Sequence, residues 1–214
     1  MNSTLILGDC DTGMATLPDD SVNLIFTDPP YLGKTYEQAY STLARHAPRI
    51  LKSSGFLVMY CPQFYLNRIM HIFEDAPGLS YFWTVAQLNS GAKTVVWARK
   101  VICGWKPILI YQKPPITPVE TIFLDVVSGA RAKQFHQWEQ SIQEPLHLLS
   151  RLTQPGDLVL DPYAGSGTSL LAAKLLNLSY LGYEIDPLAY ETARARLQQE
   201  PLTISTPRGQ GVAE

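Results

Sequence analysis

The sequence predicts an α/β protein built on a doubly wound, mostly parallel sheet. Three observations predict it. Short apolar runs alternate with longer stretches of helical periodicity, the pattern of strand–helix units. The run Phe56-Leu57-Val58-Met59-Tyr60 is continuously apolar, as strands covered on both faces are. Four of the runs lead into an acid: Asp9, Asp28, Asp161 and Glu184. In a parallel sheet these four carboxylates share one edge, the carboxyl edge, where doubly wound sheets bind ligands.

Taken in order, Thr4-Leu5-Ile6-Leu7 is a short strand stopped by Gly8-Asp9. A turn or short helix follows through Met14 and Leu17, and Pro18-Asp19-Asp20-Ser21 is a loop. Val22-Asn23-Leu24-Ile25-Phe26 is a buried strand leading to Asp28. Tyr36, Tyr40, Leu43, Ala47, Ile50 and Leu51 recur at helical steps, predicting a helix to about Lys52 that Ser53-Ser54-Gly55 ends. After the strand at residues 56–60, a helix spans Gln63 to Asp75. Residues 82–88 and 106–112 read as strands with a turn at Asn89-Ser90-Gly91, and Val95-Val96-Trp97 as a short strand or loop. Proline-rich residues 113–133 hold at most a short strand between Ile122 and Val127. A helix from Pro145, the strand Leu158-Val159-Leu160, a helix from Ser169, the strand Tyr180–Tyr183 and a helix from Pro187 complete the alternation. Trp97 and Trp105, with apolar neighbours, are expected in the core.

Apolar residues make up 46% of the 214 positions, an ordinary share for a globular protein. The start, Met1-Asn2-Ser3-Thr4, lacks the features of a secretory leader, and no apolar run reaches the roughly 20 residues that span a bilayer. A cytoplasmic protein is expected. Cys10, Cys61 and Cys103 stand far apart, as reduced buried thiols do, and neither they nor His46, His71, His136 and His147 form a metal-ligand spacing. The net charge of −2 hides an uneven distribution. Residues 91–133 carry +5, while the flanks, 1–90 and 134–214, carry −3 and −4. A basic centre reads either as a phosphate-facing strip or as a solvated hairpin.

Thr27-Asp28-Pro29-Pro30-Tyr31 is an unusual way to leave a strand. Both prolines fix φ near −65°, and Pro30 also keeps Pro29 out of the helical region. The carbonyls before Tyr31 are thereby held extended beside the Asp28 carboxylate. A stiff row of acceptors next to an aromatic ring suits a flat molecule carrying an amino group. A plain turn with a capping Asp has the same composition.

Asp161-Pro162-Tyr163-Ala164-Gly165-Ser166-Gly167-Thr168 is a strand–turn–helix unit. Its two glycines admit close backbone approach, and the helix start supplies free N–H groups. A dinucleotide fingerprint would place a third glycine where Leu170 stands, and no lysine of a phosphate-binding loop is present. Glu184, 17 residues past Gly167, ends the next strand, where an acid can take both ribose hydroxyls. The loop therefore suits a nucleoside without a pyrophosphate, such as S-adenosylmethionine.

Together the two motifs resemble those of the amino-methylating DNA methyltransferases, which act on adenine N6 or cytosine N4. The acid-Pro-Pro-aromatic motif precedes the glycine loop, which resembles the beta motif order. The resemblance implies a circularly permuted, Rossmann-like S-adenosylmethionine-dependent methyltransferase fold over residues 1–200. The residues themselves read as a basic hairpin or loop insertion at about 85–133 and, with little to bury, a loose tail at 201–214. Asp28, Pro29, Pro30 and Tyr31 match the catalytic motif. Asp161, Tyr163, Gly165, Ser166, Gly167 and Thr168 match the cofactor loop, with Tyr163 in place of the usual Phe. Glu184 matches the ribose-binding acid and Asp9 an acid near the cofactor adenine. Phe135 to Ser141 resembles the segment that helps hold the methionine end.

The resemblance implies DNA as the partner, with Lys34, Lys93, Arg99, Lys100 and Lys106 as candidate contacts. No separate recognition domain is evident, so residues 85–133 or a partner, such as a second copy, would supply recognition. Asp at the first motif position resembles the adenine enzymes more than the cytosine ones, which often carry Ser. The alternatives are cytosine N4, an RNA or glutamine target, a binding module of the same fold, and a nicotinamide oxidoreductase, which Leu170 disfavours.

Overall fold

A computed structural model describes residues 3–31, 35–88, 94–128 and 142–199. Five strands form the parallel part of the sheet: β1 (Thr4–Leu7), β2 (Val22–Thr27), β3 (Leu51–Tyr60), β9 (Leu158–Asp161) and β10 (Ser179–Glu184). On the far side lie β4 (Ser80–Leu88), β7 (Trp105–Gln112) and β8 (Val126–Ser128). The order across the eight strands is β1-β10-β9-β2-β3-β7-β4-β8. β7 runs antiparallel to both β3 and β4. Its first residues therefore lie at the edge where β2 and β3 end.

Alternate residues explain why the central strands are apolar throughout. Ile25, Leu57, Met59 and Leu160 face one way and pack with α1 (Cys10–Thr16), α2 (Thr35–Ile50) and α3 (Leu66–Glu74). Leu24, Phe26, Val58 and Val159 face the other way and pack with α4 (Gln143–Leu152) and α5 (Thr168–Leu175). The last helix, α6 (Pro187–Gln198), buries Leu197 beside Leu170 and Ala164. The fold is thus doubly wound and Rossmann-like, with a mostly parallel sheet.

Two elements depart from the sequence reading. α2 ends at Ile50, and Leu51 already pairs with Val22 in the sheet. The next paired residues are Leu24 and Phe56, so residues 52–55 form an irregularity within β3 instead of capping the helix. The backbone N–H groups of Asp20 and Ser21 take the carbonyls of Arg49 and Ile50, which closes the helix early. Ser54 holds φ at +62°, and a Cβ on Gly55 would stand 2.8 Å from the Asn23 carbonyl oxygen.

The second departure concerns the tryptophans. β5 (Thr94–Val96) and β6 (Val101–Cys103) form a two-stranded hairpin of their own, outside the main sheet. Trp97 lies on it and is 81% exposed, and Trp105, at the first position of β7, is 36% exposed. The helices already cover both faces of the central strands, so the core has no place for either ring. Cys10 and Cys61 are buried free thiols, pushed up to about 11 and about 12 mainly by burial, while Cys103 is half-buried. Among the described residues no cluster could hold a metal, and no helix is long and apolar enough to cross a membrane.

Candidate active site

β1, β10, β9 and β2 are neighbours and all parallel. Their carboxyl ends therefore set Asp9, Glu184, Asp161 and Asp28 side by side along one rim. Like charges so placed need partners, and each finds a different one. Asp9 is the N-cap of α1, accepting from the Thr12 N–H at 2.9 Å and the Thr12 hydroxyl at 3.1 Å. Glu184 accepts from the Gly165 N–H at 2.7 Å through one oxygen and from the Asp186 N–H at 2.8 Å through the other. Asp161 accepts from Thr27 Oγ1 at 2.7 Å, from the Tyr163 N–H at 3.1 Å and from the Ser169 hydroxyl. Burial pushes the Asp161 carboxyl up to about 6 although these three hydrogen bonds pull it down.

Asp28 pairs with Lys106. The lysine Nζ lies 2.9 Å from Oδ1 and 3.0 Å from Oδ2, and it also donates to the Tyr31 hydroxyl at 3.2 Å. The two side chains keep 18% and 21% of their surface, lysine first. Burial alone would lower the Lys106 pKa, but the Asp28 charge and Tyr31 outweigh it and hold the value raised. This corrects the expectation that Lys106 is a phosphate contact. It sits inside the motif because β7 begins at the rim where β2 ends. Pro29 is buried and Pro30 exposed, so the motif is anchored at its middle.

The glycine loop is held from three sides. The Ala164 N–H donates to the Tyr183 carbonyl at 2.9 Å. The Tyr163 hydroxyl donates to the Ala39 carbonyl of α2 at 3.4 Å, a contact that a Phe at this position would lack. Arg196 of α6 donates from Nη1 to the Ser166 carbonyl and hydroxyl at 2.8 and 3.0 Å, and to Thr168 Oγ1 at 3.2 Å. Gly167, at φ +78°, precedes α5, and a Cβ there would lie 3.0 Å from that of Ala193. Leu170, at the position a dinucleotide fingerprint gives to its third glycine, is fully buried against Gly182. The close approach of helix to strand is thus granted by a glycine on the strand instead of one on the helix.

Two cavities open on the rim. One, of about 190 Å³, is lined by Asp28, Tyr60, Asp161, Gly165, Ser166 and Ser169, among others. Tyr60 Oη is buried there without a hydrogen-bond partner among the described residues. The other, of about 210 Å³, is lined by Asp9, Pro30, Thr35, Tyr183, Glu184 and Ile185, among others. Tyr163 belongs to both walls. The first cavity offers carboxylates, hydroxyls and loop backbone, which fit an amino-acid end. The second offers Glu184 and Asp9 beside apolar Ile185 and Tyr183, which fit a ribose and a flat ring. Gly165 sits at φ +52°, and a Cβ on it would meet nothing within 4 Å, so the loop is open where a ligand would pass.

The basic residues are dispersed. Arg99 and Lys100 lie exposed on the β5–β6 hairpin, Lys100 in the turn at φ +52°, and the Arg99 guanidinium covers the Phe64 ring at 4.4 Å. Lys34 and Lys93, the turn at 89–91, His136, the segment 135–141 and the tail 201–214 lie outside the described residues. The roles of Thr27, Tyr60, Lys106 and Arg196 at the site escaped the sequence reading. A signal existed for Lys106: a lysine at the head of a continuously apolar strand needs an acid nearby.

Comparison with known proteins gives matches of family and of fold. The M.HpaI type II methyltransferase of Haemophilus parainfluenzae is 28% identical over 246 residues, covering 94% of this chain and 76% of that protein. The solved complex of M1.HpyAVI with SAM superposes with a TM-score of 0.72 at 23% identity, covering 93% of this chain and 100% of that one. The PvuII DNA methyltransferase, described as cytosine-N4-specific, superposes with a TM-score of 0.77 at 17% identity over 95% of this chain and 89% of its own. Residues 22–195, most of the described sheet and both motifs, match the N6_N4_Mtase family, and the chain belongs to that family of DNA methylases.

Proposed function

We propose that this protein transfers a methyl group from S-adenosylmethionine to N6 of an adenine turned out of duplex DNA. The observation that carries the reading is that Asp28 and Gly165, from motifs far apart in sequence, line one cavity. When bound, S-adenosylmethionine supplies an electrophilic methyl group on a sulfonium. Gly165, Ser166 and Thr168 would hold its methionine end together with Asp161, and Glu184 its ribose, with Asp9 toward the adenine. The lone pairs left on Glu184 after its two backbone bonds are available for hydroxyls.

On the acceptor side, Asp28 and the Pro29 carbonyl accept the two N–H bonds of the target amine. Its lone pair is delocalised into the ring, and two acceptors placed this way favour a pyramidal nitrogen that can attack. Tyr31 stacks on the base. Turning a base out of the duplex costs ~a few kcal/mol. Positioning and fixed dipoles then carry most of the rate. Arg99 and Lys100 on the exposed hairpin face the phosphates. Asp at position 28 resembles the adenine enzymes of the family more than the cytosine ones, and on that resemblance adenine is taken as the target over cytosine N4.

Asp28→Ala tests the reading. Methylation of duplex DNA, followed by label transfer and by sequencing of modified bases, is expected to fall below detection while S-adenosylmethionine binding by calorimetry is retained. Turnover surviving in this variant would remove Asp28 from the chemistry. Label appearing in cytosine N4 would move the target to the other base of the family.

A further inference from the structure

The acid assigned to the target amine already holds a nitrogen. Lys106 Nζ reaches both oxygens of Asp28 and the Tyr31 hydroxyl at 2.9, 3.0 and 3.2 Å. It also lies 4.8 Å from the centre of the Tyr31 ring and 4.5 Å from that of Tyr60. An N–H donor set against Asp28 and beside two aromatic rings stands where the preceding reading puts the amino group of the base. An incoming amine has to displace the ammonium from at least one carboxylate oxygen.

That displacement has a cost. The Lys106 side chain is only 18% exposed, so water cannot fully replace a missing partner. A lysine is a compact charge with three rotatable donors on a flexible stem. It can shift a short way if the arriving molecule brings an acceptor. Adenine does, because its unprotonated N1 adjoins the amino-bearing carbon, and cytosine does through N3. The same edges of guanine and thymine carry an N–H, which would face the cation with a donor.

We propose that Lys106 reads the target base. It holds the place of the amine in the free protein and, when the base arrives, hands Asp28 to the amine and donates to the ring nitrogen beside it. The proposal rests on the amino-methyltransferase reading above and adds the group that recognises the edge. It gives the site a preference for an amine next to an unprotonated nitrogen, independent of any contact with neighbouring base pairs.

The test substitutes 1-deazaadenine, which keeps the amine and replaces N1 by C–H, at the target position found by sequencing. Removing a hydrogen bond to a charged donor is worth about 10- to 100-fold. The unaltered protein is therefore expected to lose that factor in kcat/KM, mostly in KM. In Lys106→Met the same change of base is expected to alter kcat/KM by less than about 2-fold, because the donor is already gone. Lys106→Gln, which keeps N–H donors without the charge, covers the case in which the methionine variant fails to fold. It is expected to show an intermediate penalty. An unaltered protein indifferent to the deaza base, or variants that keep the full penalty, would overturn the role of Lys106. If the unaltered protein methylates no DNA base at all, the underlying reading falls with it. If the methylated base is cytosine, 3-deazacytosine takes the same place with the same expected outcomes.

Discussion

Thr27 Oγ1 donates to Asp161 Oδ1 at 2.7 Å across 134 residues of sequence. The bond ties the strand that delivers Asp28 to the strand that delivers the glycine loop. Both groups are buried, so neither is satisfied by water if the other is removed. The relative placement of acceptor and donor sites is therefore fixed inside the sheet, below the rim where the ligands would lie.

The raised pKa of Asp161 makes a prediction about stability. Burial lifts its carboxyl from 3.8 to about 6 in the folded chain, so the folded form binds the proton more tightly than the unfolded form. Stability attributable to this group is highest below the unfolded value and falls as pH rises through the window from 3.8 to about 6, then levels off. The size is on the order of 2–3 kcal/mol. Asp161→Asn removes the titration. Urea unfolding at several pH values is expected to show the difference between variant and unaltered protein changing across that window and constant above it. A constant difference throughout would show that Asp161 does not titrate there.

Gly182 and Leu170 form a pair that substitution can separate. A Cβ on Gly182 would lie 2.4 Å from Leu170 Cδ1, and Leu170 is fully buried. Gly182→Ala is expected to cost about 1–3 kcal/mol by overpacking. Leu170→Ala is expected to cost about 2–5 kcal/mol by cavity formation. The double variant should cost less than the sum by about 1 kcal/mol or more, since each change relieves the other. Additive costs in denaturant unfolding would mean that the two residues do not share the space.

The hairpin makes the third prediction. Reversing Arg99 and Lys100 to Glu is expected to weaken DNA binding and to reduce the slope of log affinity against log salt by about one for each phosphate no longer neutralised. Folding should be little affected, since both side chains are exposed. Affinity and slope unchanged by the reversal would return the hairpin to the solvated surface.

What could be read from the chain was what repeats locally. Strand–helix alternation and an acid after four of the apolar runs are patterns of a few residues, and they located Asp9, Asp28, Asp161 and Glu184 on neighbouring parallel strands. The need of Lys106 for an acid was legible, but its pairing with Asp28 was not, because the partner is set by an antiparallel strand entering beside β3. Leu51 was misplaced because it continues the apolar stripe of α2, while the sheet claims it through Val22. Trp97 was misplaced because an apolar neighbourhood in sequence says nothing about whether a hairpin joins the main sheet.

The pairing of β1 with β10 has a consequence for how the chain reaches this state. Leu7 sits opposite Glu184, so β1 has no neighbour in the sheet until almost the whole described chain has been synthesised. β2, β3, β4 and β7 lie within residues 22–112 and can assemble on the ribosome from contacts close in sequence. The Asp28 side is thus built from a continuous stretch of the chain, and the glycine-loop side is completed only when the first strand and the last strand meet.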